Sequence, residues 1–313
     1  MIGRALAFVG RHGALFLAGG VLLGLAAPPL AAAARPLLAP ALLVPLTIAL
    51  LRLDWRALGD YARRPVLIGV TAAWLLGASP LLVWLALRGV ALPSALEHAL
   101  VLMAASSPVT MCATVSLLVG LDAALAVVVI VVTTALVPLT LPLVALPLLG
   151  LALAIDLPTF MFRLAWMVGA AFAAALVVRR LAGPARLARG ARALDAVAVL
   201  SLVVFAVAIM DGVTAALLER PGYVLGTLAA AFVANLALQA LGTAAFLGLG
   251  LRRALTVGLM TGNCNMGIVL IALAYEAPFD TVMFFALGQI PMYMLPALLM
   301  PLYRRVARLH PAA

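Results

Sequence analysis

Lysine is absent from the 313 residues, acidic residues number only ten, and charged residues of both signs make up 10% of the chain. A soluble domain carries roughly a quarter charged residues on its wetted surface. This scarcity leaves no room for such a domain of any size. Cysteine is nearly missing too: Cys112 and Cys264 are the only two, and both fall inside apolar runs, so a disulfide framework has no support. Catalytic signatures are lacking as well, with no HExxH, no GxSxG, no Walker loop and no Cys/His metal spacing. An enzymatic reading therefore has nothing specific to stand on, and no residue pattern asks for a metal or an organic cofactor.

What is present is apolar surface. Hydrophobic residues form 67% of the chain and the mean hydropathy is +1.27, far beyond a globular domain. At about 20 residues per span, this length holds roughly ten membrane helices joined by short loops. Apolar windows bounded by charge, Pro or Gly predict spans over 14–33, 36–53, 65–88, 94–118, 122–149, 158–180, 196–218, 222–250, 253–275 and 278–303. The expected fold is an all-α polytopic membrane protein. The first two spans divide at Ala34, Arg35 and Pro36. Residues 1–34 imitate a signal peptide, with Arg4 and Arg11 ahead of an apolar stretch; a retained signal-anchor helix also fits and is the reading adopted.

Alternating the loops between two sides puts sixteen of the twenty arginines on one side, and only Arg35, Arg88, Arg163 and Arg220 on the other. The other side also holds Glu97, Asp156, Glu219, Glu276 and Asp280. This positive-inside asymmetry predicts both termini in the cytoplasm and an integral cytoplasmic (inner) membrane protein. The net charge of +10 reads as topology and contact with membrane lipid rather than nucleic-acid binding. Residues 179–195, RRLAGPARLARGARALD, form a basic cytoplasmic loop too small to be a regulatory domain.

Polar side chains at membrane depth are costly, so their clustering is informative. AASSPVTMCATVS (104–116) interrupts the fourth span, where Pro108 removes a backbone donor beside Ser106, Ser107, Thr110 and Thr114. MTGNCNMG (260–267) interrupts the ninth, with Gly262 and Gly267 bracketing Asn263, Cys264 and Asn265. Each is the fourth span of a five-span half, 1–150 and 158–306. An odd number of spans per half inverts the second half, and matched interrupted helices in inverted repeats point to a transporter's binding site. The expected substrate-binding set is Ser106, Ser107, Thr110, Met111, Cys112, Thr114, Gly262, Asn263, Cys264 and Asn265, with the amides of Thr110 and Met111. Asn235 and Gln239 lie one helical turn apart and share a face. They either line the cavity or bond a neighbouring helix. Gln289, with Pro291, is expected to support the crossing, and Trp55, Trp74, Trp84 and Trp166 read as interface or packing residues.

The stretches PLTIALLRLDWRALGDYARRPVLIGVTAAWLLGASPLL (45–82), SSPVTMCATVSLLVGLDAALAVVVIVVTTALVPLTLPLV (106–144) and GLMTGNCNMGIVLIALA (258–274) together resemble the bile acid:sodium symporter superfamily. The resemblance implies a panel domain of spans one, two, six and seven, and a core domain in which discontinuous spans four and nine cross. It also implies organic-anion transport by alternating access. Family members read Glu-x-Gly-x-Gln-Asn in the ninth span; here Met260 to Asn265 keep Gly262 and Asn265 but replace the carboxylate and the glutamine by Met260 and Cys264. A Ser-Asn pair aligns with Met111 and Cys112, a span-three glutamine falls near Leu75, and hydroxyl ligands align with Ala126 and with Ile130 or Val131. Met, Cys and Leu offer sodium no hard oxygen. Cation binding would fall to Thr133, Thr134, Asn263 and Asn265, which makes sodium coupling doubtful. Proton coupling would need Asp211, Glu97 or His98, each read as interfacial. The expectation is a secondary, symporter-like carrier of a small organic anion. Two alternatives stay open: a thiophilic metalloid efflux carrier using Cys112 and Cys264, and a non-transporting membrane sensor or scaffold.

Overall fold

The computed structural model describes residues 8, 13–51, 59, 63–149, 157–273 and 277–309. Arg4, Arg11, Arg52, Trp55, Arg56, Asp156 and Glu276 of the charge and interface reading lie outside the described residues. Among the described residues the only regular structure besides helix is one isolated antiparallel bridge. Helices satisfy their backbone groups internally, which lipid demands of any spanning segment. Among the described residues, seven helices are long and apolar enough to cross a membrane: Pro28–Leu51, Pro65–Leu87, Ala123–Leu149, Leu157–Arg189, Ala191–Glu219, Pro221–Ala245 and Phe279–Leu309.

The chain forms two compact units, neither continuous in sequence. One comprises Met1–Leu53 and Trp166–Gly226, the other Asp54–Ala165 and Thr227–Ala313. The first gathers the expected first, second and seventh spans with most of the sixth, which is the grouping the panel domain implied.

In the first unit, helix Ala191–Ala208 packs along both Gly13–Ala26 and Pro28–Leu51. Gly20 and Gly24 make the first contact close: a Cβ on Gly24 would come 2.7 Å from the Val207 carbonyl oxygen, and one on Gly20 3.1 Å from that of Val203. Small residues four apart let helix backbones touch where lipid supplies no hydrophobic push. Arg179 donates to the Leu51 carbonyl at 3.1 Å, capping a helix end. Asp211, half-exposed, pairs with Arg35 at 3.2 Å, and Thr214 donates to the Leu25 carbonyl at 2.7 Å.

Two expectations need correction here. The first helix ends at Ala26, and the next begins at Pro28, so the division falls at Ala27 (φ −129°, ψ 72°) rather than at residues 34–36. Pro28 and Pro29 open a helix well because their missing amides would be orphaned there in any case. The chain then runs on through a 3₁₀ turn, Arg35–Leu37. Residues 179–195 are mostly helical rather than a plain loop. The helix kinks at Gly183, whose φ of 72° suits glycine, and ends at a turn at Gly190 before Ala191 starts the next.

The second unit contains the interrupted helices. Ser94–Ala104 and Met111–Val119 form one pair, Leu251–Gly262 and Met266–Leu273 the other. At one end, Gly120 (φ 81°) closes Met111–Val119, and the Arg252 guanidinium donates to its carbonyl. The Asp122 carboxylate accepts the Leu125 amide at 3.0 Å, capping Ala123–Leu149. It also lies 3.5 Å from Arg253, while the Asp122 amide donates to Thr256 at 3.0 Å. The turn after the first interrupted pair is thereby tied to the start of the second. Toward the opposite ends, Thr281 donates to the Ala95 carbonyl at 3.2 Å.

Candidate functional site

Both interruptions fall where the polar clusters were read, and they meet. Pro108 and Cys264 form the antiparallel bridge. The Val109 amide donates to the Asn263 carbonyl at 2.9 Å, and the Asn265 amide to the Ser107 carbonyl at 2.7 Å. Pro108 and Cys264 are thus the non-hydrogen-bonded pair of the ladder. A proline can sit there without leaving a missing donor, which explains how it breaks the helix and still joins the contact.

Four helix ends converge on this bridge, and their chemistry is unequal. The carbonyl ends are capped from nearby. Ser106 donates to Leu102 at 2.7 Å, and the Asn263 side-chain amide donates to Leu259 at 2.8 Å. The Cys264 thiol lies 3.2 Å from the Thr261 carbonyl, and the Cys112 thiol 3.7 Å from that of Leu259. The amino ends differ: at one, the Asn265 amide donates to the Ser107 carbonyl and the Met266 amide to that of Cys264 at 3.0 Å, whereas the other is bare. Helix Met111–Val119 has no side-chain cap at Thr110, and neither it nor Met266–Leu273 has an acidic residue in its first turn. The amides of Thr110 and Met111 make no backbone hydrogen bond among the described residues. Helix amino ends carry partial positive charge and unsatisfied donors, so the Thr110 and Met111 amides are donors open to an acceptor.

The expected site residues divide by exposure. Ser106, Ser107, Cys112, Asn263 and Cys264 are buried, and so is Gly262; Thr110, Met111 and Asn265 are half-buried, and Thr114 is exposed. The buried Ser107 hydroxyl has no partner among the described residues. Thr110, Met111, Thr114 and Asn265 are the members still reachable from outside the packed interior.

Asn263 belongs to a buried ladder. Tyr303 donates to the Gln239 side-chain carbonyl, Gln239 to that of Asn235 at 2.6 Å, and Asn235 to that of Asn263 at 3.4 Å. Asn263 then donates to the Leu259 carbonyl. Of the two uses open to Asn235 and Gln239, bonding a neighbouring helix is the one seen. Gly242, Gly258 and Gly262 allow the approach: a Cβ on Gly262 would come 2.5 Å from the Asn235 backbone carbonyl, and one on Gly258 2.5 Å from that of Gln239. Beside the ladder, the Trp74 indole donates to Thr261 at 3.1 Å from a single π turn, Trp74–Ala78. Gln289 bonds its own helix at the Phe285 carbonyl, 3.1 Å. The support from this helix comes one residue earlier, where Gly288 accommodates Met266, the first residue after the second break.

Tyr303 is the residue that sequence reasoning missed, and its only signal was a hydroxyl within an apolar, proline-rich helix. Tyr303→Phe should strand the Gln239 carbonyl. The expected loss is about 0.6–2 kcal/mol of stability, read by thermal unfolding of detergent-purified protein; an unchanged transition would remove the ladder's role.

Of the cation candidates, only the Asn263 oxygen accepts a hydrogen bond from another side chain among the described residues. Thr133 donates to the Val129 carbonyl at 2.7 Å, Thr134 is buried, and the Asn263 side-chain oxygen already accepts from Asn235. Among the described residues no group of three or more His, Cys, Asp or Glu could hold a metal ion.

Apolar helices interrupted at matching polar clusters, with backbone groups paired across the breaks, are the architecture of a membrane transporter. Residues 39–220 match the model of the Sodium Bile acid symporter family. The match spans more than half of the chain, which belongs to that family and is an integral membrane protein of a transporter family. It includes the first break and ends before the second, at residues 263–265. Comparison with curated proteins returned no match.

Proposed function

We propose that the protein is a ten-span secondary carrier that moves a small organic anion across the cytoplasmic membrane by alternating access, with both termini in the cytoplasm. The observation carrying this reading is the inequality at the junction: carbonyl ends capped by Ser106, Asn263 and Cys264, and an amino end at Met111 left uncapped. An anion gains from the uncapped amides, and Thr110, Met111, Thr114 and Asn265 are the side chains best exposed to meet it. Ser107 supplies a further unpartnered hydroxyl.

The count of ten is supported by length. None of the four half-helices reaches the roughly 20 residues of a span, but the pairs cover 94–119 and 251–273. Parity supports it as well. Asp122 with Arg253 and Arg179 with Leu51 join ends assigned to the cytoplasm, while Arg35 with Asp211 and Thr281 with Ala95 join ends assigned outside. Five spans per half makes the halves inverted repeats.

Sodium is not required in this mechanism, since Met260, Cys264 and Cys112 offer it no hard oxygen. Metalloid efflux is disfavoured because both thiols lie against backbone carbonyls rather than joining a larger ligand group. The test is a thermal-shift screen of purified protein against organic acids, in sodium and in potassium. A carboxylate at a hundred times its Kd should stabilise the fold by about 2.7 kcal/mol, equally in both salts, and the Cys112→Ser/Cys264→Ser protein should behave the same. A strict sodium requirement would overturn the coupling, and loss of transport with the cysteines would favour a metalloid. Absence of any carboxylate flux in liposomes, under any ion gradient, would leave a sensor or scaffold.

A further inference from the structure

The last helix has a second face that the junction does not use. Tyr303 turns inward to the ladder, whereas Arg304, Arg305 and Arg308 are exposed. With Met300, Pro301 and Leu309 they line an open surface depression of about 510 Å³. None of these three arginines has an ion-pair partner among the described residues. We propose that this face is a binding site for one anionic phospholipid, its phosphate held by the three guanidiniums and its acyl stem lying along Met300 and Pro301.

The chemistry is specific to that occupant. Guanidinium forks match phosphate oxygens geometrically, and several together neutralise a charge that a lone lysine would meet as a point. The depression lies in the final turns of a helix long and apolar enough to cross a membrane, where the headgroup layer meets the acyl layer. Guanidiniums beside Met300, Pro301 and Leu309 match a lipid's phosphate and acyl stem together; a free phosphate would have no use for the apolar side chains. Positive-inside topology alone needs arginines somewhere on this side. It does not need them on one helical face around a depression. The site does not depend on the transport reading.

The test is native mass spectrometry of full-length protein extracted from phosphatidylcholine nanodiscs containing phosphatidylglycerol or cardiolipin. Wild type should retain the anionic lipid about tenfold over phosphatidylcholine. R304Q/R305Q/R308Q should fall to the phosphatidylcholine level, while R186Q/R189Q/R192Q, with equal charge removed from the expected cytoplasmic loop, should keep the preference. Equal loss in both triple variants would reduce the effect to net charge, and no loss in either would also overturn the site. Displacement of the lipid by millimolar inorganic phosphate would make it a free-anion site instead. If the triple variant does not fold, the three single variants are read, each expected to lower retention about threefold; unchanged retention in all three overturns the proposal.

Discussion

Thr110→Asp should hold thermal stability level or raise it by up to about 1 kcal/mol, while weakening organic-anion binding by at least about a hundredfold. Thr110 precedes the uncapped helix Met111–Val119 and is half-buried. A carboxylate there answers the helix dipole, which favours negative charge at an amino end. It also puts a fixed negative charge where the substrate's charge is proposed to sit. Like charges about 4 Å apart repel by about 4 kcal/mol at an effective dielectric of 20, more than enough for a hundredfold loss. Stability and binding should therefore move in opposite directions, which generic damage to the fold cannot produce. Thr110→Asn, similar in shape but neutral, should bind within a few-fold of wild type. Thermal shifts with a carboxylate titrated against the three proteins decide the matter, and undiminished binding by Thr110→Asp would sink the anion site.

Gly262→Ala should be among the more damaging single methyls in the second unit. Its Cβ would meet the Asn235 backbone carbonyl at 2.5 Å and the Asn235 side-chain oxygen at 3.1 Å, with the Gln239 side chain closer still. A backbone carbonyl cannot rotate away, so helices Pro221–Ala245 and Leu251–Gly262 must separate. Overpacking of this kind costs about 1–3 kcal/mol. The separation also stretches the bond from Asn235 to Asn263, whose loss adds up to about 2 kcal/mol. Gly226→Ala, on the same helix with open space around its Cβ, should be neutral or stabilising by up to about 1 kcal/mol. Thermal unfolding of the two proteins, with anion binding as second readout, checks the contrast. Equal stability would mean that the glycine is not there for close approach.

The breaks at 104–110 and 262–266 were legible because a polar cluster with Pro108, or with two amides beside Gly262, contradicts an otherwise continuous apolar pattern. Such contradictions are local and survive in one dimension. The boundary between the first two helices was misplaced for the same reason: Ala34, Arg35 and Pro36 offer a charge and a proline, but a 3₁₀ turn absorbs both, whereas Pro28 and Pro29 start the new helix. Asn235 and Gln239 could be placed on one face by their spacing. Their partners could not, because Tyr303 lies 64 residues beyond Gln239 and Asn263 lies 28 beyond Asn235.

By itself, then, the sequence determined the solvent of this protein and the two places where helix must fail, since hydropathy and helix-breaking residues act over a few turns. Only the tertiary structure decided that the two failures pair through Pro108 and Cys264, that the carbonyl ends are capped while the amino end at Met111 is bare, and that Tyr303 reaches the ladder. Those outcomes depend on which helices approach within hydrogen-bond distance, and glycines such as Gly258 and Gly262 permit that approach without announcing the partner.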